Sequence, residues 1–211
     1  GLYKLPKSYV IPRGDDPMYI STMLNLAKKE KVNAVISGPE EELIPLSRNR
    51  GLFEEQGTAI LVSSSETVDI CVDKQKTYEF FLNNGIPMPE MYTDINSVHF
   101  PCIIKPCLGR GSMGVYKLNN PEDLVFYSRG VSNPIFQEFI PGEEYSVDVL
   151  ADRNGNALSI VPRLRVGVES GISVKSLTVF DADIIEQCKR IIKKLKVFGP
   201  ACIQCIKNDR G

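Results

Sequence analysis

The chain has 211 residues, of which 43% are hydrophobic, and its formal net charge is −1. This length and composition suffice for a buried core, divided between two or three small units. The near-zero charge gives no reason to expect nucleic acid, whose binders usually carry a basic excess. No apolar run approaches the length of a membrane span, and no signal peptide opens the sequence; we therefore expect a soluble, cytoplasmic protein without membrane contact.

Strands and helices alternate over the first third of the chain. Asp16 and Pro17 predict a helix start, with an N-cap followed by proline at the first helical position. Residues 34–37 and 58–62 are predicted to be buried strands with a second helix between them, a pattern that indicates a parallel sheet. Such a sheet is thin. Either it is naturally small, or an earlier strand–helix–strand unit is missing, of which residues 9–12 would be the end.

The next helix is predicted to begin at Asp73, whose side chain can cap it, and to end at Asn84 and Gly85. Residues 86–89 follow as a stiff extended linker, because two of the four are prolines. Lys74 lies in the first turn, where the helix N-terminus adds a partial positive charge. Two interpretations of Lys74 stay open: a contact to phosphate, or a solvated lysine of the first turn.

The segment around Lys105 is the most informative part of the chain. An apolar strand at residues 100–104 leads to Lys105, a glycine-rich loop follows at 109–114, and a strand-like run occupies 115–118. The loop is neither a P-loop nor a dinucleotide fingerprint, because both of those motifs open a helix. Flanking strands predict a β-hairpin whose glycines permit positive φ and expose N–H groups. Alone, such a loop is more often an ordinary hairpin tip, and such a lysine more often a solvated strand end.

A short helix is predicted to begin at Asn120, with Leu124, Val125 and Phe126 packing inward. Two carboxylates follow this helix. Glu138 lies within a predicted strand at residues 135–139, and Glu144 lies beyond an apolar hinge. A cation beside a donor-rich loop suits a polyphosphate, whereas carboxylates suit the neutral, hydroxyl-bearing end of a nucleotide. The order of lysine, glycine hairpin and paired carboxylates therefore predicts an ATP site. Glu143 is better explained as a charged turn residue.

The last third of the chain alternates strand and helix again. Residues 145–150 predict a half-buried strand, and the Asn-Gly pair at 154–155 predicts a hairpin into the next strand. Arg163 and Arg165 follow at strand spacing and therefore face one side. Residues 183–196 predict an amphipathic helix, after which a strand carries Gln204.

Six cysteines lie mostly in apolar patterns, which indicates reduced core thiols. Cys202 and Cys205 suggest a redox or zinc motif, but both lie in one predicted strand. Residues three apart on a strand point to opposite faces, so we do not expect a shared metal. His99, the single histidine, is expected in an exposed loop.

The ordered motifs resemble the ATP-grasp superfamily, and most closely the large subunit of carbamoyl-phosphate synthetase and its stand-alone relatives. Each motif is weak alone, but the ordered set is specific for the superfamily, though not for any one substrate. The resemblance runs over nearly the whole chain. It is carried by six segments: residues 73–74, 100–106, 109–115, 137–140, 142–145 and 199–204.

The resemblance implies a fold of mixed α/β and α+β class. Residues 1–72 would be part of a parallel pre-ATP-grasp α/β domain, residues 73–134 the first lobe of a two-lobed ATP-grasp domain, and residues 135–211 its second lobe. In the family, the strand of Gln204 is followed by a turn, a strand with a glutamate, and Glu-x-Asn-Pro-Arg. This sequence ends at residues 208–211, within what resembles that turn. We therefore expect a fragment of a longer ligase, trimmed at both ends.

The resemblance also implies roles for individual residues. Lys105 and Arg163 would be catalytic, Arg163 by holding an acyl phosphate or its carboxylate precursor, although solvated arginines explain this pattern equally well. Gln204 would be a ligand of Mg²⁺, or of Mn²⁺, or else would hydrogen-bond a neighbouring strand. The adenine edge would meet the hinge after residue 137, and the ribose would meet Glu144. The implied nucleotide contacts are Lys74, Lys105, Gly109, Arg110, Gly111, Ser112, Gly114, Glu138, Phe139, Ile140 and Glu144.

The function implied by the resemblance is that of an ATP-dependent carboxylate ligase acting through an acyl phosphate. ATP and a small carboxylate would be its partners, and a homodimer is left open. Bicarbonate, an amino acid and a peptide all stay open as substrates. The alternative is a non-catalytic or degenerate nucleotide-binding module. A third reading, a different enzyme on an α/β fold, requires the motif order to be a coincidence.

Overall fold

A computed structural model of the protein describes residues 7–208. The chain divides into two compact units, Gly1–Val68 and Asp69–Gly211. The boundaries inferred above at residues 72 and 134 stay predictions. The turn expected at residues 208–211 lies, apart from Asn208, outside the described residues.

The first unit contains a two-stranded sheet and surrounding helices. The strands pair in parallel, Ala34 with Ala59 and Val35 with Ile60, as the alternation of strands and helices indicated. Its core is apolar and includes Tyr19, Leu46 and Phe53, all fully buried. The elements in chain order are α1 (Tyr19–Glu30), β1 (Ala34–Val35), α2 (Glu40–Arg48), α3 (Arg50–Glu54), β2 (Ala59–Ile60) and α4 (Ser65–Val72), the last of which crosses into the second unit.

Two predictions for the first unit are wrong in detail. Helix α1 begins at Tyr19, because the Asp16 carboxylate accepts the Met18 N–H within a turn that precedes the helix. The predicted buried strand at 34–37 is short and not buried: Ile36 is 66% exposed, and within residues 7–208 the strand pairs with β2 alone. Residues 9–12 lie outside any strand.

The second unit contains two four-stranded antiparallel sheets. The first sheet has the strand order β3-β6-β4-β5, and the second sheet has the order β10-β7-β8-β9. The strands are β3 (Met91–Tyr92), β4 (Cys102–Pro106), β5 (Tyr116–Leu118), β6 (Pro134–Glu138), β7 (Glu143–Ala151), β8 (Ala157–Glu169), β9 (Ile172–Thr178) and β10 (Gly199–Lys207). The helices are α5 (Lys74–Asn83), α6 (Pro121–Ser128) and α7 (Ala182–Leu195), with a short 3₁₀ turn at Ile95–Ser97.

The first sheet holds the predicted hairpin. Strands β4 and β5 pair antiparallel on either side of the glycine-rich loop, and the small core between the sheet and α6 includes Cys102, Ile104 and Leu118. Asn120 caps α6 by accepting the Asp123 N–H. Helix α6 has eight residues, and the side that carries Leu124 and Tyr127 packs on the sheet.

The expectation that α6 packs Val125 and Phe126 inward is wrong. These side chains are 56% and 71% exposed, whereas Leu124 packs on the core. On a helix, three consecutive residues span most of the circumference, so they cannot all face one sheet.

The second sheet separates an apolar face from a polar one. Helix α7 lays its buried stripe, which includes Ile184, Cys188 and Ile192, against Val147 and Val149 of β7. Asp181 caps this helix by accepting two backbone N–H groups, and the predicted amphipathic helix is confirmed. The opposite face of the sheet is therefore free of the core and can carry polar side chains.

The strand pairing also settles the placement of two cysteines. Cys202 pairs with Asp148 on the polar face, and Cys205 pairs with Tyr145 on the core face, as strand geometry predicted. Within residues 7–208, no group of three histidine, cysteine or acidic side chains lies close enough to hold a metal ion. No described helix has the length and apolarity needed to cross a bilayer.

We predict that Val147→Ala lowers the free energy of unfolding by about 2–3 kcal/mol, because it removes two buried carbons and leaves a cavity under α7. Val174→Ala is the matched control: Val147 is fully buried, whereas Val174, in the same sheet, is 58% exposed. Urea unfolding followed by circular dichroism measures both. Equal losses for the two variants would contradict the assigned core.

Candidate functional site

The N-terminus of α5 is fixed to the base of the glycine-rich loop. The Lys74 backbone N–H donates to the Cys107 carbonyl at 3.2 Å. The Lys74 ammonium donates to the same carbonyl at 3.3 Å and to the Gly109 carbonyl at 2.8 Å. Asp73, which caps α5, accepts the Cys107 thiol at 3.2 Å. The Lys74 side chain thus bonds to the glycine-rich loop and its base, and does not extend into solvent from the first turn.

Lys105 lies at the end of β4 in a half-buried position. Its ammonium donates to Gln137 Oε1 at 2.6 Å, and Gln137 Nε2 donates in turn to the Pro89 carbonyl at 3.2 Å. Burial, and then the nearby charge of Lys74, lowers the pKa of Lys105 from 10.5 to about 8. Two cations close together, one of them desolvated, create a place where an anion is stabilised.

The glycine-rich loop, residues 109–114, requires left-handed backbone. Gly109, Gly111 and Gly114 have φ values of 127°, 63° and 70°, and Ser112 between them has a φ of 54°. Positive-φ residues allow a tight turn that can gather backbone N–H groups on one side, and such turns bind anions in proteins.

The tip of the β8–β9 hairpin, Ser170 and Gly171, touches this loop. A Cβ atom on Gly171 would lie 2.2 Å from Ser112 Oγ and 2.9 Å from the Gly111 carbonyl carbon. Only glycine therefore fits at position 171. The contact joins the second sheet to the first at the loop's tip.

The predicted hinge residues follow β6. Glu138 accepts the Glu90 N–H at 3.3 Å, and the backbones of the two residues are also hydrogen-bonded. Phe139 and Ile140 are half-buried, and the Lys117 ammonium lies 3.7 Å from the centre of the Phe139 ring. Sequence reasoning missed Lys117, because a lysine in a short exposed strand carries no signal of its own.

The polar face of the second sheet brings the remaining candidates together. Ser146 pairs with Arg163 on one side and with Gln204 on the other, so these residues share a face. Arg163 binds the Asp148 carboxylate through Nε at 2.6 Å and Nη2 at 2.9 Å. This contact raises the pKa of Arg163.

Arg165 and Glu144 lie on the same face, one step along the strands. Arg165 Nη1 lies 3.1 Å from the Glu144 carboxylate, and Nη2 donates to the Gly171 carbonyl at 2.8 Å. A groove of about 470 Å³ adjoins them, lined by Gly142, Glu143, Glu144, Leu164, Arg165, Val166 and Val168.

The interpretation of Glu143 as a turn residue is wrong. It begins β7, where it pairs with Lys207, and its carboxylate accepts the Tyr145 hydroxyl at 2.8 Å. The strand extends this far because β10 offers a full-length partner, which a local pattern cannot reveal.

Gln204 is exposed on β10 opposite Ser146. Its amide oxygen is a hard donor that Mg²⁺ accepts, but a site needs several such oxygens. Within the described residues no acidic cluster surrounds it. These residues do not form a metal site by themselves, and the assignment of Gln204 stays a prediction.

The geometry thus forms two groups that meet at one contact. Lys74, Lys105 and the glycine-rich loop belong to the first sheet, and Glu144 with Arg165 belongs to the second. Arg163 and Gln204 share the second sheet's polar face, but Arg163 is already held by Asp148. Gln137 was noted only as part of a motif, and its role as the acceptor of Lys105 was missed, because that role depends on the pairing of β4 with β6.

We predict that Lys74→Met raises the pKa of Lys105 above 8 but leaves it below 10.5, because burial, the larger cause, remains. Nuclear magnetic resonance titration of ¹³C-methylated lysines measures this pKa. Lys76→Met, which removes an exposed charge from the same helix, is the control and leaves the pKa of Lys105 in place. An unchanged pKa of Lys105 in Lys74→Met would show that the charge of Lys74 does not act on Lys105, and would contradict the prediction.

Several known proteins are similar to this chain in sequence. The relatives include the carbamoyl phosphate synthase large chain of Clostridium beijerinckii, 26% identical over 92% of this chain and 20% of its own length. The D-alanine–D-alanine ligase of Fusobacterium nucleatum is 32% identical over 52% of this chain and 37% of its own. The matches therefore span between 20% and 37% of these relatives' own length.

Solved structures share the fold. The biotin carboxylase domain dimer of Hydrogenobacter thermophilus 2-oxoglutarate carboxylase, in complex with MgADP, ADP and bicarbonate, has a TM-score of 0.72 at 16% identity, over 100% of this chain and 53% of its own. The D-alanine–D-alanine ligase of Bacillus anthracis has a TM-score of 0.66 at 18% identity, over 92% of this chain and 70% of its own.

Family models account for both units. Residues 1–61 match a PylC-like N-terminal domain, and residues 71–211 match the ATP-grasp domain. The second match covers well over half of the chain and includes all the motifs from residue 73 onward. The mixed α/β fold and the resemblance inferred from motif order are confirmed, and the chain belongs to the ATP-grasp domain family.

Proposed function

We propose that the protein is an ATP-dependent carboxylate ligase that works through an acyl phosphate. One observation carries the proposal: two interacting lysines and a left-handed glycine loop meet the carboxylate–arginine pair of the second sheet through the Gly171 contact. The first group suits phosphates, and the second suits a hydroxyl-bearing sugar. The arrangement therefore matches the two ends of a nucleoside triphosphate.

The phosphates would lie against Lys74, Lys105 and the loop. The present acceptors of the two ammonium groups are neutral: carbonyl oxygens for Lys74 and an amide oxygen for Lys105. Phosphate oxygens are charged and form stronger hydrogen bonds to ammonium groups than neutral acceptors do. Binding ATP would therefore exchange weak partners for strong ones, at a place where burial limits screening by water.

The other end of the nucleotide would lie at the hinge and the groove. Glu144 keeps a carboxylate that is 54% exposed beside the groove, where it can accept ribose hydroxyls. The backbone of Phe139 and Ile140, after Glu138, would read the adenine edge, and the Phe139 ring supplies apolar surface. Lys117 over that ring adds a cation near the base.

In the proposed reaction, a carboxylate oxygen of the substrate attacks the γ-phosphorus of ATP, and the bond to the β–γ bridging oxygen breaks to release ADP. An amine or similar nucleophile then attacks the acyl carbon, and phosphate leaves. Catalysis of this type rests on positioning and charge stabilisation. Lys105 would hold the transferred phosphoryl group. Arg163 would hold the acyl phosphate, for which its guanidinium would have to bind the phosphate as well as the Asp148 carboxylate.

The comparisons support the choice of ligands. The related biotin carboxylase domain holds MgADP and bicarbonate and is a dimer, which favours ATP, Mg²⁺ and a small carboxylate for this protein and leaves a homodimer open as its assembly. Mn²⁺ is the alternative metal, and Gln204 is the residue that we expect to contact either.

The activity test measures ADP release by the full-length protein with ATP, Mg²⁺ and a panel of bicarbonate, amino acids and short peptides. We expect one carboxylate to raise ADP release well above the rate without substrate, and hydroxylamine to trap the acyl phosphate of an amino acid or peptide substrate as a hydroxamate. ATP binding without turnover on every carboxylate would contradict the ligase and indicate a nucleotide-binding module.

We predict that Lys105→Ala weakens ATP binding about tenfold or more, because a charge-assisted contact to phosphate is lost. In the wild type, affinity should fall as pH rises through about 8, since the free Lys105 loses its proton there, and this pH dependence should vanish in the variant. Isothermal titration calorimetry at pH 7 and pH 9 measures both effects. Lys189→Ala, an exposed lysine of α7, is the control. Equal ATP affinity in wild type and Lys105→Ala would refute the phosphate site.

A further inference from the structure

Arg165 is the one residue described here that contacts both the carboxylate of the proposed ribose site and the hairpin tip. Its side chain is only 7% exposed. One terminal nitrogen lies 3.1 Å from Glu144, and the other donates to the Gly171 carbonyl at 2.8 Å. Within residues 7–208, its buried Nε–H has no hydrogen-bond acceptor.

The hairpin tip is in turn pressed against the glycine-rich loop. Ser170 and Gly171 both have positive φ, 49° and 75°, so the turn presents its backbone to the loop. The space at Gly171 is filled by Ser112 and Gly111 to the point that a single added carbon would clash with both. The loop tip therefore packs directly on Gly171, whose carbonyl is held by Arg165.

We propose that Arg165 is a positioning residue that couples the two ends of the nucleotide site. It orients the Glu144 carboxylate for the sugar and, through Gly171, holds the glycine-rich loop in place for the phosphates. This inference rests on the proposed nucleotide site and adds to it a residue that the sequence left undistinguished from a solvated arginine.

The chemistry of the side chain supports a positioning role. A planar guanidinium can aim two nitrogens at two separate acceptors, whereas a lysine ammonium is a point charge on a flexible stem. A buried guanidinium with one unmade hydrogen bond is unfavourable for stability, and such groups call for an explanation other than packing. Arg163, by contrast, directs two of its nitrogens at the Asp148 carboxylate and the third at Ser176 Oγ, and none of these acceptors lies at the hairpin tip.

The first test reads the loop without any nucleotide. Hydrogen exchange measured by mass spectrometry on peptides covering residues 107–116 of the full-length protein should be about tenfold faster in Arg165→Lys than in the wild type, because a local contact is lost. Arg153→Lys, an exposed arginine in the β7–β8 turn, is the control and should leave this exchange unchanged.

A second variant perturbs the same contact from the other side. Gly171→Ala should also accelerate exchange in the loop, because its Cβ meets the Gly111 backbone. Gly57→Ala is the matched control: its φ of 78° imposes the same backbone strain, but no atom lies within 4 Å of the added carbon. Loop exchange unchanged in both Arg165→Lys and Gly171→Ala would overturn the inference.

The third test asks whether the coupling reaches the nucleotide. Wild-type protein should bind ATP more tightly than 2′,3′-dideoxy-ATP, because only ATP offers hydroxyls to Glu144. In Arg165→Lys, ATP affinity should fall on the order of tenfold and this preference should largely disappear. If the variant weakens both nucleotides equally, Arg165 is merely structural and the inference fails.

The proposed function and this inference fail in different ways. A wild-type protein that binds no ATP overturns the nucleotide site, and with it the coupling to the sugar. The exchange measurements contain no nucleotide, so they decide independently whether Arg165 and Gly171 hold the loop.

Discussion

The pairing register of the second sheet is the constraint on which the rest of the site depends. Ser146 lies between Arg163 and Gln204, and the residues before and after it face the core under α7. A one-residue slip of β7 would expose Val147, and a one-residue slip of β8 would bury Arg163, because successive side chains alternate between faces. The buried stripe of α7 forbids these slips. The apolar core therefore determines which side chains lie on the polar face.

The first sheet holds the ammonium group of Lys105 close to that of Lys74. Burial and the charge of Lys74 both disfavour the charged form of Lys105. Neutral acceptors offset part of this cost: Gln137 for Lys105, and the carbonyls of Cys107 and Gly109 for Lys74. Folding thus maintains an arrangement that is unfavourable until an anion arrives, which is typical of binding sites rather than of stabilising ion pairs.

Local features were predictable where a short stretch of chain contains its own cause. The Asp73 cap, the β4–β5 hairpin and the amphipathic α7 each depend on interactions within a few residues or on a regular period. Errors arose where a neighbour distant in sequence decided the outcome. Phe126 is apolar yet exposed because the sheet contacts the side of α6 that carries Leu124, and Glu143 lies in a strand because β10 extends alongside it.

The candidate site also combines features that the sequence predicts with features that depend on residues distant in sequence. By itself, the sequence determined the fold family and supplied the residues that we propose for phosphates and sugar, because motif order and hydrophobic period are properties of the linear chain. Three contacts were decided only by the tertiary structure. Gln137 accepts the hydrogen bond of Lys105, and Asp148 pairs with Arg163. Arg165 binds both Glu144 and the hairpin tip. These contacts join strands through pairing registers, and a register is set by the packing of whole faces rather than by any local pattern.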